Sequence, residues 1–138
     1  MKKILAVLAF AILGVSVSAH AGQNVLLASA VRTATSTNDV TKTFAYCGVQ
    51  AYLIVTAVPT VETLTFAIQG KDVSGNYYTL LTGTASATTG TVPLTLFRGA
   101  TVTANVSANN CLPDVWALKV THSASGNFTY SVVYNTID

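Results

Sequence analysis

Apolar residues recur at every second position along most of this chain, in runs of about six to ten residues separated by Gly, Ser and Asn punctuation. That period fits pleated strands, and no long helical period interrupts it after residue 21. The runs are Asn24 to Arg32, Phe44 to Ala57, Glu62 to Gln69, Tyr77 to Leu81, Thr91 to Phe97, Val115 to His122 and Phe128 to Tyr134. In the second run Val49, Ala51, Leu53 and Val55 share one face, while Gln50, Tyr52, Ile54 and Thr56 share the other; both are fairly apolar, which predicts a central strand whose second side meets a neighbour or a partner. In the third run Leu64, Phe66 and Ile68 point one way and Thr63, Thr65, Ala67 and Gln69 the other, the pattern of a strand with one wet face. Trp116, Leu118 and Val120 predict a core rib, and Phe128, Tyr130, Val132 and Tyr134 line one side of the last run.

The segment from Gly70 to Asn76 predicts a hairpin turn in which Gly75 takes positive φ at little steric cost. Thr33 to Lys42 and Arg98 to Asn110 lack alternation and read as loops or irregular edges. The expected fold is therefore all-β: one antiparallel β-sandwich of seven to eight strands over residues 22–138, jelly-roll-like or immunoglobulin-like, behind an N-terminal signal helix.

That leader occupies residues 1–21. Lys2 and Lys3 precede an apolar stretch from Ile4 to Val17, and Ala19-His20-Ala21 fits the small-x-small cleavage rule, which predicts cleavage between Ala21 and Gly22. The stretch is about 14 residues, short of the roughly 20 a helix needs to cross the hydrocarbon core, so no stable membrane insertion is expected after cleavage. The leader also carries the basicity: of seven Lys and Arg two stand in it, leaving five against five Asp and Glu. The remaining cations form no cluster, and a nucleic-acid partner is not expected.

Export gives the two cysteines their meaning. Cys47 and Cys111 would mature in an oxidising compartment, periplasmic or extracellular, where a disulfide is the expected state. Closing a loop of about 65 residues stabilises a fold by roughly 4 kcal/mol on the chain-entropy model. Two free buried thiols or an intermolecular bridge are the other readings. With no nearby His and no ligand spacing, no metal is expected there.

A catalytic site needs titratable groups brought together, and residues 22–138 offer one histidine, His122, one glutamate, Glu62, and the aspartates Asp39, Asp72, Asp114 and Asp138. The carboxylates are scattered over different loops and ends, and no nucleophile elbow marks any serine. His122 ends a strand beside a turn, where a solvated or structural role is expected. No enzyme activity and no cofactor are expected. Asp72, Ser74 and Asn76 alternate oxygen ligands, but the turn has too few acidic groups for a calcium loop. Asn105-Val106-Ser107 and Asn127-Phe128-Thr129 match the glycosylation acceptor pattern, which matters only in a host that modifies such sites. Tyr52, Tyr77, Tyr78 and Tyr134 are candidates for a binding surface, since flat aromatic faces stack on sugar rings, although tyrosine also fills cross-strand positions in any sheet.

The stretch Phe66 to Leu81, with Ile68-Gln69-Gly70-Lys71-Asp72, then Ser74-Gly75 and Tyr77-Tyr78-Thr79-Leu80-Leu81, resembles a family of small tailed-phage structural proteins. Ala108 to Trp116, with Leu112-Pro113 before Trp116, is similar to that family's lead into a core strand, and Val49 to Val58 resembles its apolar strand. Arg32-Thr33-Ala34-Thr35 also fits. The resemblance implies a β-sandwich component of a virion, a head-decoration or minor capsid protein acting through contacts with other protein subunits, with no catalytic residues to transfer. The leader and the cysteine pair are additions to that pattern. They suggest a phage-type sandwich co-opted as an exported structural protein, with a secreted carbohydrate-binding or cell-surface module as the competing role.

Overall fold

The computed structural model describes residues 23–42 and 46–138. The leader, with its cleavage position at Ala21 and Gly22, and the Phe44 end of the second run lie outside the described residues. Nine strands are present among the described residues: β1 (Asn24–Arg32), β2 (Ser36–Thr41), β3 (Gly48–Ala57), β4 (Leu64–Lys71), β5 (Tyr77–Thr82), β6 (Gly90–Leu96), β7 (Ser107–Ala108), β8 (Val115–His122) and β9 (Phe128–Ile137). They form two sheets, ordered β1-β9-β3-β6-β7 and β2-β8-β4-β5.

The pairing is nested. Setting aside the two-residue β7, the first strand pairs with the last (β1 with β9), the second with the penultimate (β2 with β8), the third with the sixth (β3 with β6), and the fourth with the fifth across a hairpin (β4 with β5), all antiparallel. A long hairpin wrapped so that its pairs fall alternately in two sheets is a jelly roll, which decides between the two sandwich topologies open at the sequence level. The β3–β9 and β4–β8 ladders complete the two sheets.

The alternation of the sequence is what fills the interior. Val49, Ala51, Leu53 and Val55 of β3, Phe66 and Ile68 of β4, Leu94 and Leu96 of β6, Trp116, Leu118 and Val120 of β8, and Phe128, Tyr130 and Val132 of β9 all point between the sheets and are buried. Each large apolar side chain removed from water there contributes about 1.5–3 kcal/mol. The central position expected for the second run is observed, with β3 between β9 and β6.

Three local readings change. Thr33 to Lys42 is not simply a loop, because Ser36–Thr41 pairs residue for residue with β8. An edge strand needs only one ladder, and Val40 is the single apolar side chain it buries. Within Arg98 to Asn110, Ser107 and Ala108 run parallel to Thr95 and Leu96 as β7. The face of β4 read as wet is not wet throughout, since Ala67 and Gln69 on it are buried at 7% and 8% exposure.

Cys47, immediately before β3, and Cys111, in the β7–β8 connection, form a disulfide with Cα atoms 4.9 Å apart. The same junction is hydrogen-bonded: Leu112 N–H donates to the Cys47 carbonyl at 2.8 Å, and Lys42 N–H to the Asp114 carbonyl at 2.8 Å. The disulfide thus ties the start of a central strand in one sheet to the segment that crosses to the other.

Candidate functional site

The four tyrosines singled out in the sequence do not share one platform. Tyr77 and Tyr78 are neighbours on β5 and point to opposite faces; both are half-exposed. Tyr52 lies on the outer face of β3, and Tyr134 stands edge-on to Trp116 with ring centroids 5.3 Å apart. Tyr78 packs over Gly70, its ladder partner, where a side chain would collide with the ring. Its ring also borders a shallow depression of about 400 Å³ shared with Asp72, Pro113, Asp114 and Val115.

On the outer face of the four-stranded sheet, Asp39 of β2 reaches over Ala117 to β4 and β5. Its carboxylate accepts from the Lys71 ammonium at 2.5 Å and from the Tyr77 hydroxyl at 2.6 Å. The Lys71 ammonium also sits 5.0 Å from the Tyr77 ring centroid. The register places Ala117 between Asp39 and Gln69, so this polar strap lies across both and accounts for their burial on an outward face. The hydrogen bonds from Lys71 and then Tyr77 hold the Asp39 carboxyl below its ordinary range, and the bond to Asp39 pushes Lys71 up.

The outer face of the five-stranded sheet is different in kind. By register, Val25 of β1 lies beside Val133 of β9, Val133 beside Tyr52 of β3, and Tyr52 beside Pro93 of β6, which draws one apolar row across four strands. The adjoining rows are Gln50 with Asn135 and Thr95, and Ile54 with Ser131 and Thr91. No charged side chain occupies any of these positions. Val25 and Val31, both facing outward on β1, are 64% and 62% exposed.

The edges of that sheet are blunted. Thr95 and Phe97 send their N–H groups toward β7, so Pro93, two residues earlier on the same side, removes the donor that would face an incoming strand. At the other edge β1 breaks register twice. The Arg32 guanidinium bridges that irregularity by donating to the carbonyls of Ala28 at 2.7 Å, Ala30 at 3.1 Å and Tyr130 at 2.6 Å.

His122 faces inward at one end of the sandwich. Its ring is edge-on to Phe128 at 4.9 Å, and Nε2 is 3.2 Å from the Tyr130 hydroxyl, which lies 3.4 Å from Ser36 Oγ. Burial pushes its pKa down, Glu62 pulls it up and Arg32 pushes it down further. Glu62 itself accepts from the Gly126 N–H at 2.7 Å. Among the described residues the imidazole is hydrogen-bonded only to the Tyr130 hydroxyl, through Nε2, while Glu62 acts on it through its charge alone. Among the described residues no three His, Cys, Asp or Glu side chains converge to hold a metal ion.

At the β4–β5 tip Asp72 accepts from the N–H groups of Ser74 at 2.9 Å and Asn76 at 2.8 Å and from the Asn76 amide at 3.2 Å. The oxygens of Asp72 are committed to closing the turn, with Gly75 at φ 87°. Phe66 to Leu81 is this hairpin, and Ala108 to Trp116 runs from β7 into β8. No protein-family model matches the chain, and no curated protein matches it.

Proposed function

We propose that this chain is a non-enzymatic assembly protein, exported before it folds, that docks the outer face of its five-stranded sheet onto other protein subunits, either copies of itself or a surface lattice. The row Val25–Val133–Tyr52–Pro93 carries this reading: Val133 is itself buried at 5% exposure, and Val25, Tyr52 and Pro93 around it offer apolar surface on an uncharged face that a partner can cover without desolvating a charge. The opposite sheet presents Asp39, Lys71 and Lys119 outward and is the solvated side by contrast. Blunted edges direct association to the face rather than to strand addition. The disulfide is compatible with an oxidising, exported location, and the likeness of two segments to phage structural proteins suggests the same kind of role.

Light scattering and sedimentation test it. The wild-type protein is expected to associate, and Tyr52→Lys to be monomeric with an unchanged circular dichroism spectrum. A wild-type protein that stays monomeric, and that binds its surface of origin no better than the Tyr52→Lys variant does, overturns the reading.

The depression beside Tyr78 supports a second reading, a carbohydrate-binding module, because a half-exposed aromatic residue lines it together with the polar residues Asp72 and Asp114. Glycan-array binding lost in Tyr78→Ala but kept in Tyr52→Lys would favour this over assembly.

A further inference from the structure

We propose that His122, Tyr130 and Arg32 form an acid-labile clasp on β1, so that acidification releases the first strand from its sheet while the rest of the sandwich holds. This inference does not depend on the assembly reading.

The clasp is built from both ends. His122 of β8 approaches the Tyr130 hydroxyl of β9 at 3.2 Å, and that hydroxyl reaches Ser36 of β2 at 3.4 Å, so one chain of polar contacts spans the two sheets. The same Tyr130 ring carries the Arg32 guanidinium 4.7 Å from its centroid, and Arg32 gathers the carbonyls of the bulged half of β1. Besides this clasp, β1 is held chiefly by its backbone ladder to β9. It contributes no buried side chain to the core, only the partly buried Leu26 and Leu27, and its ladder to β9 breaks register twice.

Protonation of His122 is what the arrangement cannot accommodate. Nδ1 is buried and meets no hydrogen-bonding partner among the described residues. A neutral imidazole can leave that nitrogen bare, whereas the imidazolium carries a hydrogen on both nitrogens and strands one of them. The charged groups facing the ring are Arg32 from β1 and Glu62 from the β3–β4 connection; β2, β4 and β9 present Ser36, Leu64, Phe128 and Tyr130. A second cation would therefore share the Tyr130 ring with Arg32, and Glu62, the one counter-charge, already serves the Gly126 N–H. Burial favours the neutral ring for the same reason. Once charged, the ring is driven toward water and leaves Tyr130, which loosens the platform on which Arg32 pins β1.

Hydrogen exchange of the purified protein, corrected for intrinsic rates, tests this at about pH 7.5 and about pH 5. Protection of the β1 amides from Leu27 to Arg32 is expected to fall by up to about tenfold for each pH unit below the ordinary histidine range, and to stay below that of β3 and β8, whose amides open only with the whole fold. His122→Gln, uncharged at both pH values, is expected to abolish the difference, and Arg32→Gln to free β1 at both. Equal β1 protection at the two pH values overturns the proposal, as does a pH difference that survives His122→Gln. Should the glutamine variant not fold, an NMR titration of His122 in the wild-type protein decides: a depressed midpoint that coincides with shifts in β1 supports the clasp, and an ordinary or raised midpoint overturns it.

Discussion

The indole N–H of Trp116 donates to the hydroxyl of Tyr46 at 3.2 Å, which places the chain's one tryptophan in contact with the residue that precedes Cys47. The lone indole thus reports on the disulfide junction. Reducing Cys47–Cys111, or replacing both with serine, is expected to destabilise the fold by about 2–4 kcal/mol, seen as a lower urea midpoint followed by tryptophan emission. An unchanged midpoint after verified reduction would show that the hydrogen bonds around Leu112 hold the junction alone.

Inner and outer faces of β3 should respond differently to substitution. Leu53 is fully buried, so Leu53→Ala is expected to cost about 2–5 kcal/mol. Its neighbour Tyr52 faces out, and Tyr52→Lys is expected to change stability by no more than about 1 kcal/mol. Chemical denaturation of the two variants measures the contrast.

Two glycines make a second contrast. A side chain at Gly48 would strike the Phe97 Cβ and the Leu96 carbonyl, which cannot move independently, and Gly48→Ala is expected to cost about 1–3 kcal/mol. At Gly70 the obstacle is the far end of the half-exposed Tyr78 ring, which can swing outward, so Gly70→Ala is expected to cost less than about 1 kcal/mol. Thermal midpoints of both variants give the ranking.

Acid should act on the hairpin tip late. Hydrogen bonds from Asn76, from its backbone and then its side chain, hold the Asp72 carboxyl below its ordinary range. The contribution of a carboxyl depressed in the folded state is present above the unfolded value of 3.8 and is lost as pH falls through the lower folded value. Amide exchange at Ser74 and Asn76 is expected to accelerate only in strongly acidic solution, and in Asp72→Ala to be fast at every pH.

His122 sets an earlier limb with the sign of a base. Its folded pKa lies below the ordinary histidine value of 6.5, so below about pH 6.5 the unfolded chain binds more protons than the folded one. Stability is therefore expected to fall as pH drops through that range, by at most about 1.4 kcal/mol per unit, and to level off once the folded histidine titrates too. Urea midpoints between neutral and mildly acid pH trace the limb, and His122→Gln should flatten it.

Where a strand's own side chains make the core, the sequence declares it. Trp116, Leu118 and Val120 alternate cleanly, and β8 spans Val115–His122 as read. Ser36–Thr41 stays hidden because its inward positions are Ser36, Asn38 and Val40, so its strand character comes from the β8 backbone rather than from its own pattern. The dry outward position of Gln69 is equally invisible, since the strap that crosses it starts at Asp39 on another strand. The apolar row Val25–Val133–Tyr52–Pro93 needs three registers at once, and no single run contains it. Cys47 and Cys111 form the disulfide that an exported chain with two cysteines is expected to form.

The nested ladder also fixes an order of events at the ribosome. Asn24 waits for Tyr134 and Ser36 for Val120, so β4–β5 and β3–β6 can pair first, whereas the β1–β9, β2–β8, β3–β9 and β4–β8 ladders close only after Val115–Ile137 has emerged. Such high contact order makes closure slow and leaves a nascent chain pliable enough to thread through a narrow channel before it sets.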